Sequence, residues 1–395
     1  MLGLKPPRVD GSALTKVSPF QDPEFSDDMG FDGLQDSALQ SIAYLNKIPH
    51  DTVFWFGSDA VTAYHMKKSL EHFLAFIEKN PTVSDLNNFI KTDYIVYVSK
   101  GGEDSGDVLF TGYYEPELQG SLQKTEEYRY PVYSLPDDIA FVELSLFGPE
   151  FEGRQRIVGR YTDNQKVVPY YERGEISKNS LGGHSVPIAW VKDRVDLFFL
   201  EIQGSGKICL NSGGCLNVHY HASNGQPYSS IGALLINQQK IPREEMSMQR
   251  IREHLKNHPL ETDEILNHNK SVIFFRIEED GPYGCLSVKL TPGRSIALQK
   301  RIFPAASLAF IETSKPLVDG EGNIISWKNF SRFVLNQDTG GAIRGPGRAD
   351  IFWGNGPYAE IAAGHMQHYG RLYFLVLKEG RFKNELLDSS RQNTY

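Results

Sequence analysis

The sequence predicts a mainly β protein with flanking helices, and three observations carry that reading. Glycine, tyrosine and phenylalanine are plentiful, at 36, 19 and 23 of 395 residues. From Tyr94 onward, short β-branched and aromatic runs alternate with Gly, Asp and Pro turns, the composition of strands and their connections. Ahead of Tyr94 the apolar residues recur at helical spacing instead. A chain of this length holds two or three domains and ample core.

Taken in order, a helix is expected over Asp36 to Ile48, with Leu39, Ile42, Ala43 and Leu45 on one face. A longer helix is expected from a Ser58 cap, burying Val61, Tyr64, Leu70, Phe73, Leu74 and Ile77, and Asn80-Pro81 closes it. A short one follows from Ser84. Strands are then expected at Tyr94–Val98, Val108–Tyr114, Tyr128–Leu135, Val186–Trp190 and Val195–Gln203. Ile241-Pro242-Arg243-Glu244-Glu245 opens a helix, with proline in its first turn and early acidic residues that suit the dipole. Strands resume at Val272–Ile277, Leu286–Leu290, Ala306–Ile311 and Ser331–Leu335. A last helix, Pro357–His368, precedes the strand Leu372–Leu377.

Composition narrows the function classes. Lys+Arg 41 against Asp+Glu 49 gives −8, which lends a nucleic-acid partner no electrostatic support. No apolar run approaches the length of a membrane span, and Met1 to Phe20 contains no apolar core of a secretory signal. That leaves a cytoplasmic protein and a trimmed exported form both open. The cysteines are Cys209, Cys215 and Cys285. Cys209 and Cys215 bracket a turn and are placed either to bond across a hairpin or to remain two inert thiols. No Cys or His spacing fits zinc, so neither a metal nor a cofactor is expected.

The chemistry is sought at residues 335–354, where Asp338 and Asp350 lie twelve positions apart. Between them runs a glycine-rich segment with Gly340 and Gly341, and Asp350 leads into the strand-like Ile351-Phe352-Trp353. Two carboxyls so placed can serve as a proton donor and its charge-tuning partner. Other segments offer amides, hydroxyls and rings of the kind that bind a neutral polar polymer. They are Thr111 and Tyr113 at the end of a strand, Gln203-Gly204-Ser205, and Tyr220, Asn224 and Ser230 within 220–231.

Together and in this order, these motifs resemble the membrane-bound lytic murein transglycosylase A (MltA) family. The matching segments are FTGYYEPELQGS at 110–121, LFFLEIQGSG at 197–206, YHASNGQPYSSIG at 220–232 and LTPGRSIA at 290–297. DTGGAIRGPGRADIFWG at 338–354 resembles the family's C-terminal 3D region. The resemblance implies a double-psi β-barrel domain with a second β domain inserted into it. Residues 1–116 would supply helices and the first part of the barrel, 117–270 the insert, and 271–395 the rest of the barrel. It also implies a periplasmic monomer acting on peptidoglycan glycan strands held in a groove between the domains. Outer-membrane association is not visible in the sequence.

By the same likeness Asp350 is the catalytic acid and Asp338 its supporting aspartate, with Thr111, Tyr113, Gln203, Gly204, Ser205, Tyr220, Asn224, Ser230, Gly340 and Gly341 binding substrate. One acid suffices when the substrate's own C6 hydroxyl attacks, because no water then needs to be activated. Where the family has a third aspartate, this chain has Gln299, which keeps hydrogen bonding and loses the charge. Two other readings compete. Asp104-Ser105-Gly106 and Asp338-Thr339-Gly340 could be the paired triplets of an aspartic peptidase, although neither follows an apolar strand end. A non-catalytic, expansin-like module would bind glycan without cutting it.

Overall fold

The computed structural model describes residues 13–18, 23–102, 106–151, 156–178 and 180–382, and the chain parts into two units at Tyr113/Tyr114 and again at Pro282/Tyr283. The first unit takes residues up to Tyr113 and from Tyr283 onward. The Asp104-Ser105 part of the first peptidase-like triplet lies outside the described residues.

Six strands of the first unit form a ring: β1 (Val108–Tyr113), β2 (Ser295–Ala297), β3 (Leu308–Val318), β4 (Ile324–Asp338), β5 (Arg348–Phe352) and β6 (His368–Leu377). Around the ring the order is β1-β6-β3-β4-β2-β5, and β5 pairs with β1 to close it. The β2/β4 and β1/β5 pairs are parallel and the others antiparallel. This is the double-psi β-barrel expected from the sequence. Phe110, Ile296, Phe310, Phe333 and Ile351 are fully buried. The Leu286–Leu290 run is not a strand: Leu286, Val288 and Leu290 are buried from an irregular loop, which an apolar run alone does not distinguish.

Helices Leu34–Lys47, Ala63–Ile77 and Val83–Asp93 flank the barrel. The cap of the second is Thr62, whose hydroxyl accepts from the His65 N–H; residues 59–62, expected as its first turn, pair instead with Val53–Phe56 in a hairpin. Buried polar groups fasten this layer to the barrel. Arg294 is fully buried and makes a two-pronged contact with Asp27 at 2.6 and 2.8 Å. Gln337, also fully buried, donates to the Ser37 carbonyl and the Ser41 hydroxyl and accepts from the Ser37 and Ser295 hydroxyls.

The second unit, Tyr114–Pro282, contains a six-stranded sheet in the order Ile273–Glu278, Cys215–Ser223, Ser205–Leu210, Glu117–Ser121, Pro187–Val191, Tyr130–Tyr133. Strands Val167–Pro169, Ile157–Tyr161 and Ile139–Val142 form a smaller sheet. Val132, Ala189, Ile208 and Val218 of the six-stranded sheet, with Leu200, form a fully buried core. One expectation is overturned here: residues 194–203 are an α-helix, not a strand. A short apolar run fits either, and its punctuation decides. The Asp193 carboxylate caps the Val195 and Asp196 amides, and Gly204 ends the helix at φ 79°. The helix expected from Ile241 begins later, at Met248, capped by the Ser247 hydroxyl after a 3₁₀ turn at Arg243–Glu245. Cys209 and Cys215 face each other across the Ser205–Leu210/Cys215–Ser223 hairpin and form a disulfide.

Candidate active site

Strand register brings the two aspartates together. Asp350, in β5, lies opposite Thr111 of β1 on one side and Ala297 of β2 on the other, and Ala297 lies opposite Asp338 of β4. One row of the barrel thus reads Thr111, Asp350, Ala297, Asp338. The alanine between the carboxyls is itself buried.

Asp338 is surrounded by donors. Its Oδ1 accepts the Thr339 N–H at 2.8 Å and the Cys285 N–H at 2.9 Å, and its Oδ2 accepts the Tyr113 hydroxyl at 2.9 Å. Burial nevertheless dominates and pushes its pKa up to about 6; the three donors oppose the rise, and the Asp350 charge adds to it. The Tyr113 hydroxyl is held far above its ordinary value, by burial first and then by Asp338. The Cys285 thiol is pushed up to about 12 by burial, again with Asp338 beside it, so it stays a neutral wall group.

Asp350 is about one-fifth exposed. Its Oδ1 accepts the Thr111 hydroxyl and faces Arg348 Nε at 3.4 Å. Arg348 Nη2 also donates to Thr111 Oγ1 at 2.9 Å. Gln299 accepts the Gly345 N–H through Oε1 and so pins the turn that joins the two aspartates.

The remaining expected residues fall into separate groups. Gly340 and Gly341 begin the turn after Asp338 without a left-handed backbone, and a Cβ at Gly341 would meet nothing within 4 Å. At that position glycine bares the backbone rather than permitting a special conformation. In the second unit, Gln203, Gly204, Ser205 and Tyr220 cluster: Gln203 Oε1 accepts the Tyr114 N–H, Tyr220 N–H donates to the Gly204 carbonyl, and the Tyr220 ring is exposed. Asn224 and Ser230 are occupied by the fold itself. Asn224 is fully buried, its amide donating to the Tyr171 and Lys270 carbonyls and accepting from the Val272 N–H, while the Ser230 hydroxyl caps the helix Ile231–Asn237. Both support their loop, and the Asn224 NH₂ has no donor to spare.

Cys285 and Gln337 are the residues that sequence reading passed over. Cys285 contributes a backbone amide, which any residue would supply, so no side-chain signal could mark it. One group of possible metal donors, Asp137, Asp138 and His184, lies in the second unit among the described residues; His184 is bonded to Asp137 and Tyr170 to Asp138, which accounts for their proximity without an ion.

Comparison with known proteins fits this arrangement. Residues 109–276 match the MltA specific insert domain and residues 294–376 the 3D domain. The chain is 31% identical over 299 residues to membrane-bound lytic murein transglycosylase A of Escherichia coli K12, covering 75% of this chain and 73% of that protein. A crystal structure of a membrane-bound lytic murein transglycosylase from Agrobacterium tumefaciens superposes with a TM-score of 0.75 at 28% identity, covering 94% of this chain and 99% of that one. The E. coli MltA structure with bound chitohexaose shares the fold at a TM-score of 0.69 and 24% identity, over 92% and 94% of the two chains. A barrel carrying paired aspartates, interrupted by this insert, defines the class. The chain belongs to the membrane-bound lytic murein transglycosylase A family.

Proposed function

We propose that this protein is a peptidoglycan lytic transglycosylase. It cleaves the β-1,4 bond between N-acetylmuramic acid and N-acetylglucosamine and leaves a 1,6-anhydromuramoyl end. The observation that carries the reading is the row Thr111–Asp350–Ala297–Asp338, which puts one partly exposed carboxyl beside a second that is saturated with donors. A group accepting three hydrogen bonds is a poor proton donor, so the acid role falls to Asp350.

In the reaction the Asp350 proton passes to the glycosidic oxygen as the C1–O bond breaks. Positive charge builds on the sugar and the Asp338 carboxylate opposes it. The substrate's C6 hydroxyl then attacks C1, and the Asp350 carboxylate takes its proton, returning the acid to its starting state. Intramolecular attack replaces a positioned water. Tyr113 holds Asp338 in place. In the first unit the bared backbone at Gly340 and Gly341 presents groups suited to sugar hydroxyls; in the second, Gln203, Gly204, Ser205 and the exposed Tyr220 ring offer groups suited to sugar hydroxyls and faces. No helix among the described residues is long and apolar enough to cross a membrane. The Cys209–Cys215 disulfide suits an oxidising compartment such as the periplasm.

The test is mass spectrometry of products released from purified peptidoglycan. Wild type should yield anhydromuropeptides, and Asp350→Asn should lose at least about a thousandfold in rate, as expected for removal of a general acid that also serves as the base, while still binding glycan. Near-normal cleavage by Asp350→Asn would remove the assignment.

A further inference from the structure

The contacts around Asp350 contain a constraint that the acid–base scheme does not supply. Arginine has donors only. Because Arg348 Nη2 donates to Thr111 Oγ1 at 2.9 Å, the hydroxyl must receive there, and its single hydrogen is left to point at Asp350 Oδ1. Arg348 Nε–H faces the same Oδ1 at 3.4 Å. That oxygen therefore meets two donors, whereas Oδ2 receives no hydrogen bond from the described residues.

We propose that Arg348 and Thr111 are positioning residues that confine the Asp350 proton to Oδ2, the oxygen left for the glycosidic bond. The proposal rests on the transglycosylase reading for its kinetic consequence only. A proton on Oδ1 would collide with the Thr111 hydrogen and with the guanidinium, so the protonated carboxyl has one available form. Without this pair the proton would exchange between two oxygens, only one of which faces the substrate.

The experiment compares wild type with Thr111→Val, Thr111→Ser and Arg348→Gln. On soluble glycan strands, Thr111→Val should lose about thirtyfold or more in kcat, a general-acid effect, with KM changed less than about twofold, and Thr111→Ser should recover most of the loss. Arg348→Gln, which removes the donor that fixes the Thr111 hydroxyl, should lose about tenfold or more in kcat, again with KM changed less than about twofold. Wild-type kcat in Thr111→Val or in Arg348→Gln, or equal impairment in Thr111→Ser, would each overturn the proposal. A second measurement needs no turnover: the ¹³C-carboxyl NMR spectrum of aspartate-labelled protein at one fixed pH, with the Asp350 signal assigned by its absence in Asp350→Asn. The Asp350 carboxyl signal should move in both Thr111→Val and Arg348→Gln, since each removes a donor from its surroundings, and a signal unmoved from wild type would overturn the proposal whatever the glycan assay gives. A wild type that forms no anhydro product would instead sink the transglycosylase reading alone.

Discussion

Asp338 should make the protein less stable as pH rises, and replacing it with asparagine should relieve that. Its pKa is about 6 in the fold against an ordinary 3.8. A carboxyl raised on folding contributes stability that is fully present below its unfolded value and is lost as pH climbs through its folded value. At 1.36 kcal/mol per pH unit the gap corresponds to about 3 kcal/mol. Roughly 1 kcal/mol of this is already lost at pH 4.5 and nearly all of it at pH 7.5, so the wild-type deficit should widen by about 2 kcal/mol between the two. Asparagine fits the same place. Its Oδ1 can accept the Thr339 and Cys285 amides, and its NH₂ can face a Tyr113 hydroxyl turned to accept. The assay is urea unfolding of wild type and Asp338→Asn at pH 4.5 and 7.5, with hydrogen exchange at the Leu335 amide reporting on the first unit alone. Asp338→Asn should gain on wild type by about 2 kcal/mol more at the higher pH. A difference that stays constant, or shrinks, would refute the argument that burial outweighs the three donors. A carboxylate kept at such a cost is the pattern of a site whose activity is traded against stability.

Two further outcomes follow from the fold. Arg294→Met should destabilise the first unit by about 3–5 kcal/mol, because it strands the buried Asp27 charge, and adding Asp27→Asn should recover part of the loss in a double-mutant cycle; additive losses would mean the pair is uncoupled. Replacing Cys209 and Cys215 by serine opens a loop of sequence separation 6 and should cost about 2 kcal/mol in denaturant unfolding. Anhydro-product formation should be unchanged, and unaltered stability in the oxidised protein would count against the bond.

Some strands were readable where a β-branched or aromatic run met turn residues, as at Val108–Tyr113 and Arg348–Phe352. Both candidate carboxyls were visible because they sit in one 17-residue segment with distinctive glycines. The row that joins them was not, since Ala297 and Thr111 come from remote segments and pairing between distant strands leaves no local trace. Asn224 misled because an amide in a turn has the same composition whether it faces a ligand or ties down its own backbone. The 194–203 helix was hidden by its contiguous apolar core, although Asp193 and Gly204 marked both its ends. Arg344 and Arg348 both stood near the acid in sequence, and only the fold separates the one that contacts Asp350.

The closed ring also bears on self-association. A sheet that ends in an unpaired strand offers its amides and carbonyls to any neighbouring chain. Here β1 pairs with β6 through His368–Gly370, which closes the ring, while the outer arms of β3 and β4, Thr313–Val318 and Ile324–Phe330, pair only with each other. The rest of β6 passes its pairing outward to Tyr94–Ser99, and that strand passes it on to Leu14–Lys16. On that side, among the described residues, the first unit's sheet stops at a strand only three residues long, in which Thr15 and Lys16 are exposed. A short, lysine-bearing border is a poor surface for adding another strand, which protects a barrel that must keep its interior charges in order.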